Sequence, residues 1–503
     1  MTRAAEPRTP TVSAMSVADR LAAVLPAGEV GDFDISRLDR LGLPVVSADH
    51  LGDGWPRAAA VGYGATLEQA RTGAYGELAE ALLLHGQLRA MVPRRASYAQ
   101  LRTELGAGGV VDPRSLVLRA GTTVDDDQPR SWLPTVRWRT GETVLVPAEF
   151  CGSSSEDLPW QDPAERLVTV ITNGSGAGDT IERAVAHGLL ELLQRDGNTT
   201  AFRAMDAGVV IDLDEVRDPV TRATVDRLRA ANIDVVPKLA STAFGLVDVH
   251  VVGIDREPET PPLAVTACGE AAHPDRETAL RKALLEYVSS RSRKVFSHGP
   301  LETLRRFTPE AYWRREFARP AESQETRAFT AMREWTHLDG GQLRALLEPV
   351  VLARRSTVPF TTLPTVAPGS LDDPSALLAD LLHRLAEFDV LVVVAPGDGA
   401  VAVKVIVPGL EAETMSYGRI AARGVERLME KDSPLVGLGA PPHGGAAPVV
   451  LDPAGRERLG NDAWLDLSLV ARTIGPLYPL YREPSRHAVA AGGGLGTGTR
   501  SQP

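Results

Sequence analysis

TNGSGAGDTIERAVAHGLLELLQRD, residues 172–196, runs from a glycine-rich turn into a long amphipathic helix. Asp179 with Glu182 three residues on reads as an Asp-x-x-Glu cap, and Ile181, Val185, Leu189 and Leu192 then recur at helical spacing. Glu191 is not on the polar face of that helix. It follows Ala184 and Gly188 at spacings of seven and three, along a stripe of small residues. A carboxylate there either faces water or serves a site.

Two further stretches repeat the arrangement. GYGATLEQARTGAYGELAEALLL runs from Gly62 and GEAAHPDRETALRKALLEYVSSR from Gly269. In each an alanine precedes a glutamate by seven residues: Ala70 and Glu77, Ala184 and Glu191, Ala279 and Glu286. The span from Gly64 to Glu77 equals that from Gly178 to Glu191, and Glu80 adds a fourth acid one turn beyond Glu77. A single glutamate on a helix is ordinarily a solvated surface residue, but three at equivalent places point to convergence. Convergent carboxylates repel unless they hold cations, and hard oxygen ligands suit magnesium with a bound phosphate chain.

These residues carry a resemblance to the YcaO family. The G-x-G turn leading to E-x-x-E, the N-G-x-x-x-G-x-T block with its E-x-x-x-R-D end, and the G-x-x-x-H-P-D block ending in E-x-x-x-x-R resemble that family's three nucleotide-binding stretches. GLPVVSA at 42–48, VLVPAEF at 144–150 and VIVPGLE at 405–411 are also similar, so the likeness spans roughly residues 35–485.

The rest of the chain narrows the classes. With 503 residues and 43% apolar composition it can bury a large core. A net charge of −11 argues against indiscriminate binding to nucleic acid or an anionic membrane, and the best basic run, Arg291-Ser292-Arg293-Lys294, is short. Cys151 and Cys268 are the only cysteines, so there is no disulfide framework and no zinc tetrad, and both read as small buried hydrophobes. Apolar runs such as Val390 to Ala395 fall far short of a membrane span. The N-terminus lacks the apolar core of a signal peptide, which gives a cytoplasmic reading. No Gly-Lys-Ser/Thr P-loop and no Gly-x-Ser-x-Gly elbow occurs. The Asn173–Gly178 turn is left as a backbone cradle for phosphate at a helix start. His187 reads as a packed histidine, and His273-Pro274-Asp275 as a turn and helix cap.

The expected fold is a mixed α/β (α+β) domain with antiparallel-rich sheets and three glutamate helices meeting at a nucleotide. Residues 1–50 form an N-terminal segment with a Ser16-capped helix, and 51–490 the catalytic domain. Residues 297–375 are expected to form a helical insertion or partner surface, and 491–503 a disordered tail.

The resemblance implies ATP and Mg2+ as cofactors and a ribosomally made precursor peptide as substrate. A nucleophile adds to a backbone amide, and ATP phosphorylates the resulting oxygen. Phosphate then leaves to give an azoline or a thioamide, a strategy that turns a very poor leaving group into a good one. It implies Glu77, Glu80, Glu191 and Glu286 as magnesium ligands and Asn173, Arg195 and Arg291 as phosphate contacts, beside the Gly174 to Gly178 turn. It also implies a homodimer, with leader-peptide recognition expected from a separate protein or from an unusual element of this chain. Three departures stand out: Ala81 where the family has arginine, Gln194 in place of the second central glutamate, and Ser289 in place of glutamine. They keep open a second reading, a degenerate scaffold or substrate-binding partner, and a third, phosphoryl transfer to a small molecule.

Overall fold

The computed structural model describes residues 16–201, 208–318, 325–411, 418–480 and 482–492. Residues 1–15, and all of the expected disordered tail at 491–503 except Ala491 and Gly492, lie outside these.

Four sheets organise the chain. Glu29–Asp34, Val45–Leu51 and Ala58–Tyr63 form a three-stranded antiparallel meander. A five-stranded sheet has the order Thr266–His273, Val247–Asp255, Ile233–Ser241, Val209–Asp212, Ser356–Pro359, and only its last pair is parallel. A six-stranded sheet runs Arg94–Ala96, Arg130–Arg137, Leu391–Pro396, Val401–Ile406, Ser175–Gly178, with Thr143–Pro147 beside Arg130–Arg137. The small C-terminal sheet orders Val436–Leu438, Ala463–Asp466 and Ala446–Pro448. The mixed α+β architecture with antiparallel-rich sheets is as the sequence leads one to expect.

Each glutamate helix follows the edge strand of a different sheet. Leu67–Ala90 follows Ala58–Tyr63, Ile181–Ala201 follows Ser175–Gly178, and Arg276–His298 follows Thr266–His273. Glycines set how closely strand and helix approach. A Cβ on Gly62 would lie 2.0 Å from the Ala70 carbonyl, one on Gly176 2.3 Å from that of Ala184, and one on Gly269 2.1 Å from that of Ala283. The stripe of small residues is therefore a crossing point for backbone, and Ala70, Ala184 and Ala279 are fully buried. The cap differs from the expected one. Thr180 caps the second helix, its hydroxyl accepting from the Arg183 N–H at 3.2 Å, while the Asp179 carboxylate pairs with Arg183 at 2.8 Å. Ser16, Thr66 and Asp275 cap their helices as Ser, Thr and Asp side chains commonly do.

The second glutamate helix packs on one face of the six-stranded sheet through Val185, Leu189 and Leu192 against Val403 and Val405. The first packs on the other face, with Leu84 against Ala395 and Ala402, and also buries Ala70 and Ala74 under the meander. The third packs Leu280, Ala283 and Leu284 on Val249, Val251 and Ala271 of the five-stranded sheet. Residues 297–375 hold the helices Leu301–Leu304, Glu310–Glu316, Thr326–His337 and Gly340–Val351 together with the strand Ser356–Pro359 of the five-stranded sheet, and they do not stand apart as a surface module. Trp335, Leu343 and Leu347 cover the opposite face of the five-stranded sheet at Val236, Val252 and Ile254, and Trp313 is buried. A further helix spans Ala422–Met429, with 412–417 outside the described residues.

Candidate functional site

Because the three helices follow edge strands, their glutamates arrive where backbone N–H groups lack a ladder partner. Glu191 Oε2 accepts from the Gly174 N–H at 2.9 Å. Glu286 Oε2 accepts from the Glu270 N–H at 2.8 Å. The two bonds orient their carboxylates and satisfy the edge amides. Glu77 and Glu80 reach the same recess from the first helix, on the other side of the six-stranded sheet.

The electrostatics report this convergence. Burial, and then the charges of Glu191 and Glu286, push the Glu77 carboxyl up to about 7. More than a third of Glu77 nevertheless stays exposed. Burial, Glu77 and Glu191 hold Glu80 well above the usual carboxylate range, opposed by Lys404. Burial likewise raises Glu286, against the hydrogen bond from the Glu270 amide and the charges of Arg195 and Arg293.

Cations ring the acids. Arg195 Nη1 binds Glu270 Oε2 at 2.9 Å, and Nη2 lies 3.5 Å from Glu191 Oε1. Lys404, 3% exposed, donates to the Ile171 carbonyl at 2.7 Å. Burial lowers its ammonium to about 8, against the pull of Glu191, Glu80 and Asp157. It sits between Val403 and Val405 on its strand, so alternation turns it to the face of the first glutamate helix.

The structure brings Glu77, Glu80, Glu191, Glu286 and Arg195 together but not Arg291. Its guanidinium is 1% exposed and bound to Asp39 at 2.8 and 3.1 Å, to Asp255 at 2.8 Å and to the Ala264 carbonyl at 2.6 Å. Two residues on, Arg293 acts on Glu77 and Glu286 while pairing with Glu483 at 3.0 Å. The glycine-rich segment is also less of a cradle than the sequence suggests. Ser175–Gly178 is a strand paired with Val401–Lys404, and the Gly174 amide is committed to Glu191. Gly174 has φ +87°, which favours glycine. Asn173 lines a cavity of about 40 Å3 with Lys404 and Leu192. A larger cavity, about 600 Å3, lies elsewhere, between Arg114, Phe388, Arg423 and Arg458, and none of the four glutamates lines it.

Sequence reasoning missed Lys404, Arg293 and Glu270. Lys404 interrupts an apolar strand in VAVKVIV, a legible signal. Glu270 carries none, since strand order sets its partners, whereas Arg293 has the signal of standing two turns after Glu286 on one helix.

Four carboxylates in one recess, Glu77 and Glu80 raised by burial and by neighbouring recess acids and Glu286 by burial, gain most from a hard divalent cation, and their all-oxygen donor set fits Mg2+ better than a softer ion. With Arg195 and Arg293 beside the acids and Lys404 buried beneath them, the recess has the charges that cations together with a polyanion would need.

The sequence profile described as YcaO cyclodehydratase, ATP- and Mg2+-binding, matches residues 61–411. The chain belongs to the YcaO family. An uncharacterized protein of Methanothermobacter thermautotrophicus is 25% identical over 394 residues, which cover 78% of this chain and 91% of that protein. The YcaO protein of Methanopyrus kandleri, bound with AMPPCP and Mg2+, superposes with a TM-score of 0.54 at 20% identity, over 80% of this chain and 90% of that one. A heterocyclase in complex with substrate and cofactor gives 0.62 at 17%, over 84% of this chain and 56% of that one. The chain thus spans little more than half of that heterocyclase.

Proposed function

We propose that this chain is an ATP-dependent enzyme that activates a backbone amide oxygen of a ribosomally made peptide, closing an azoline by cyclodehydration or forming a thioamide. Membership of an ATP- and Mg2+-binding cyclodehydratase family supports this, and the observation that carries it is the recess where Glu77, Glu80, Glu191 and Glu286 meet. ATP, when bound, supplies the phosphoryl group that makes the amide oxygen a good leaving group.

This chain's own residues do the positioning. Glu191 and Glu286, oriented by the Gly174 and Glu270 amides, hold the cations together with Glu77 and Glu80. Arg195 and Arg293 neutralise phosphate charge from the rim, and Arg195 is kept in place by Glu270. Lys404 balances Glu80 and Glu191 from beneath. The catalytic contribution is then orientation and preorganised charge, which cost no rearrangement as negative charge develops.

The test is incubation with ATP, Mg2+ and short peptides containing Cys, Ser or Thr, following phosphate release and peptide mass. Loss of one water per phosphate indicates cyclodehydration, and replacement of oxygen by sulfur with added sulfide indicates thioamidation. A second reading, a binding partner without ATP turnover, is favoured by Gln194, which leaves a neutral amide beside Arg195. ATP binding without phosphate release with any peptide would support it.

A further inference from the structure

We propose that His250, Cys268 and Glu270 form a site for a zinc-class transition-metal ion, distinct from the glutamate recess. His250 stands directly opposite Glu270 across the antiparallel pair Val247–Asp255 and Thr266–His273. Cys268 precedes Glu270 by two residues, so alternation puts all three side chains on one face, away from the third glutamate helix. One ligand atom from each lies within 4.8 Å of the other two. Tetrahedral coordination with bonds of about 2.0–2.3 Å wants ligand atoms roughly 3.5 Å apart. Small side-chain rotations close that gap.

The donor set selects the ion. Imidazole, thiolate and carboxylate suit Zn2+ or Co2+, whereas Mg2+ and Ca2+ disfavour sulfur. A supporting contact is in place: Arg195 donates to Glu270 Oε2 at 2.9 Å, which fixes the orientation of the carboxylate. Cys268 now donates to the Leu480 carbonyl at 3.3 Å and is partly accessible, which gives an ion a way in and the thiol proton a way out. Three protein ligands leave a fourth position open. An ion here would clamp the two strands that place the Glu270 amide against Glu286.

The experiment is titration of Co2+ into the full chain after treatment with a chelator, followed by absorbance. One Co2+ per chain should bind with a thiolate-to-cobalt charge-transfer band, displaced by Zn2+ and not by Mg2+. The band should vanish in Cys268→Ser, and affinity should fall at least about tenfold in His250→Gln, since loss of a ligand or its support typically costs 10–100-fold. Glu191→Gln should retain the band, so failure of the ATP reading leaves this result intact. No band in folded wild type, a band surviving Cys268→Ser, or unchanged affinity in His250→Gln overturns the proposal. Thermal melts confirm that each variant is folded.

Discussion

Replacing Gly176 with alanine tests how the glutamates are brought together. The added Cβ would sit 2.3 Å from the Ala184 carbonyl oxygen and 3.0 Å from the Gly188 nitrogen. Ordinary contact begins at 3.4 Å, so strand and helix must separate by 3.4 − 2.3 = 1.1 Å at the crossing. Over-packing of this kind costs about 1–3 kcal/mol. The larger effect falls on the site, because Glu191 lies two turns along the displaced helix and its bond to the Gly174 amide is already 2.9 Å. Magnesium tolerates ligand displacements of only about 0.2 Å. Gly176→Ala should therefore bind ATP with Mg2+ about 10–100-fold more weakly, by analogy with loss of a ligand's support. Calorimetry well below the melting temperature is the assay. Gly76→Ala is the control, since a Cβ there meets nothing within 4 Å, although it neighbours Glu77. It should retain affinity and gain about 0.5–1 kcal/mol of stability. Unchanged affinity in folded Gly176→Ala would refute the idea that this crossing positions Glu191.

Arg291→Met should unfold the protein at milder denaturant, costing about 3–5 kcal/mol because Asp39 and Asp255 stay buried; Arg293→Met should instead weaken nucleotide binding in a folded chain. Glu80→Gln removes one of the repelling acids, so the ligand-free protein should melt higher while its gain in melting temperature from ATP and Mg2+ shrinks. Glu411 gives a pH signature. Burial, then Asp196, raise its carboxyl to about 7, so the folded state holds its proton between the unfolded pKa and 7. Its stabilising contribution is full below the unfolded value and is lost as pH rises through 7. Wild type should accordingly lose up to about 3 kcal/mol relative to Glu411→Gln between pH 4.5 and pH 8, measured by urea unfolding.

The repeated Ala-to-Glu spacing made the three helices and their acids legible because the strand–helix crossing needs small residues at a fixed distance before the carboxylate. Gly62 and Gly176 each precede their glutamate by the same fifteen residues. The arginines were harder. Arg291 and Arg293 lie two positions apart on one helix, nearly opposite faces; helical spacing sets Arg293 two turns beyond Glu286, but only the packed structure shows Arg291 turned to Asp39. The His250, Cys268 and Glu270 cluster carries no sequence spacing, since strand register creates it. The cap moved from Asp179 to Thr180 for a local reason: Asp179 pairs with Arg183 and leaves the helix amides to the threonine.

The most direct measurement is calorimetric titration of ATP with Mg2+ into wild type and Glu191→Gln, whose amide oxygen can still accept from Gly174. The expected result is saturable binding to wild type that is lost in the variant while its melting temperature is kept. Equal binding by both proteins, or none by well-folded wild type, would contradict a cation and nucleotide site built on these four glutamates.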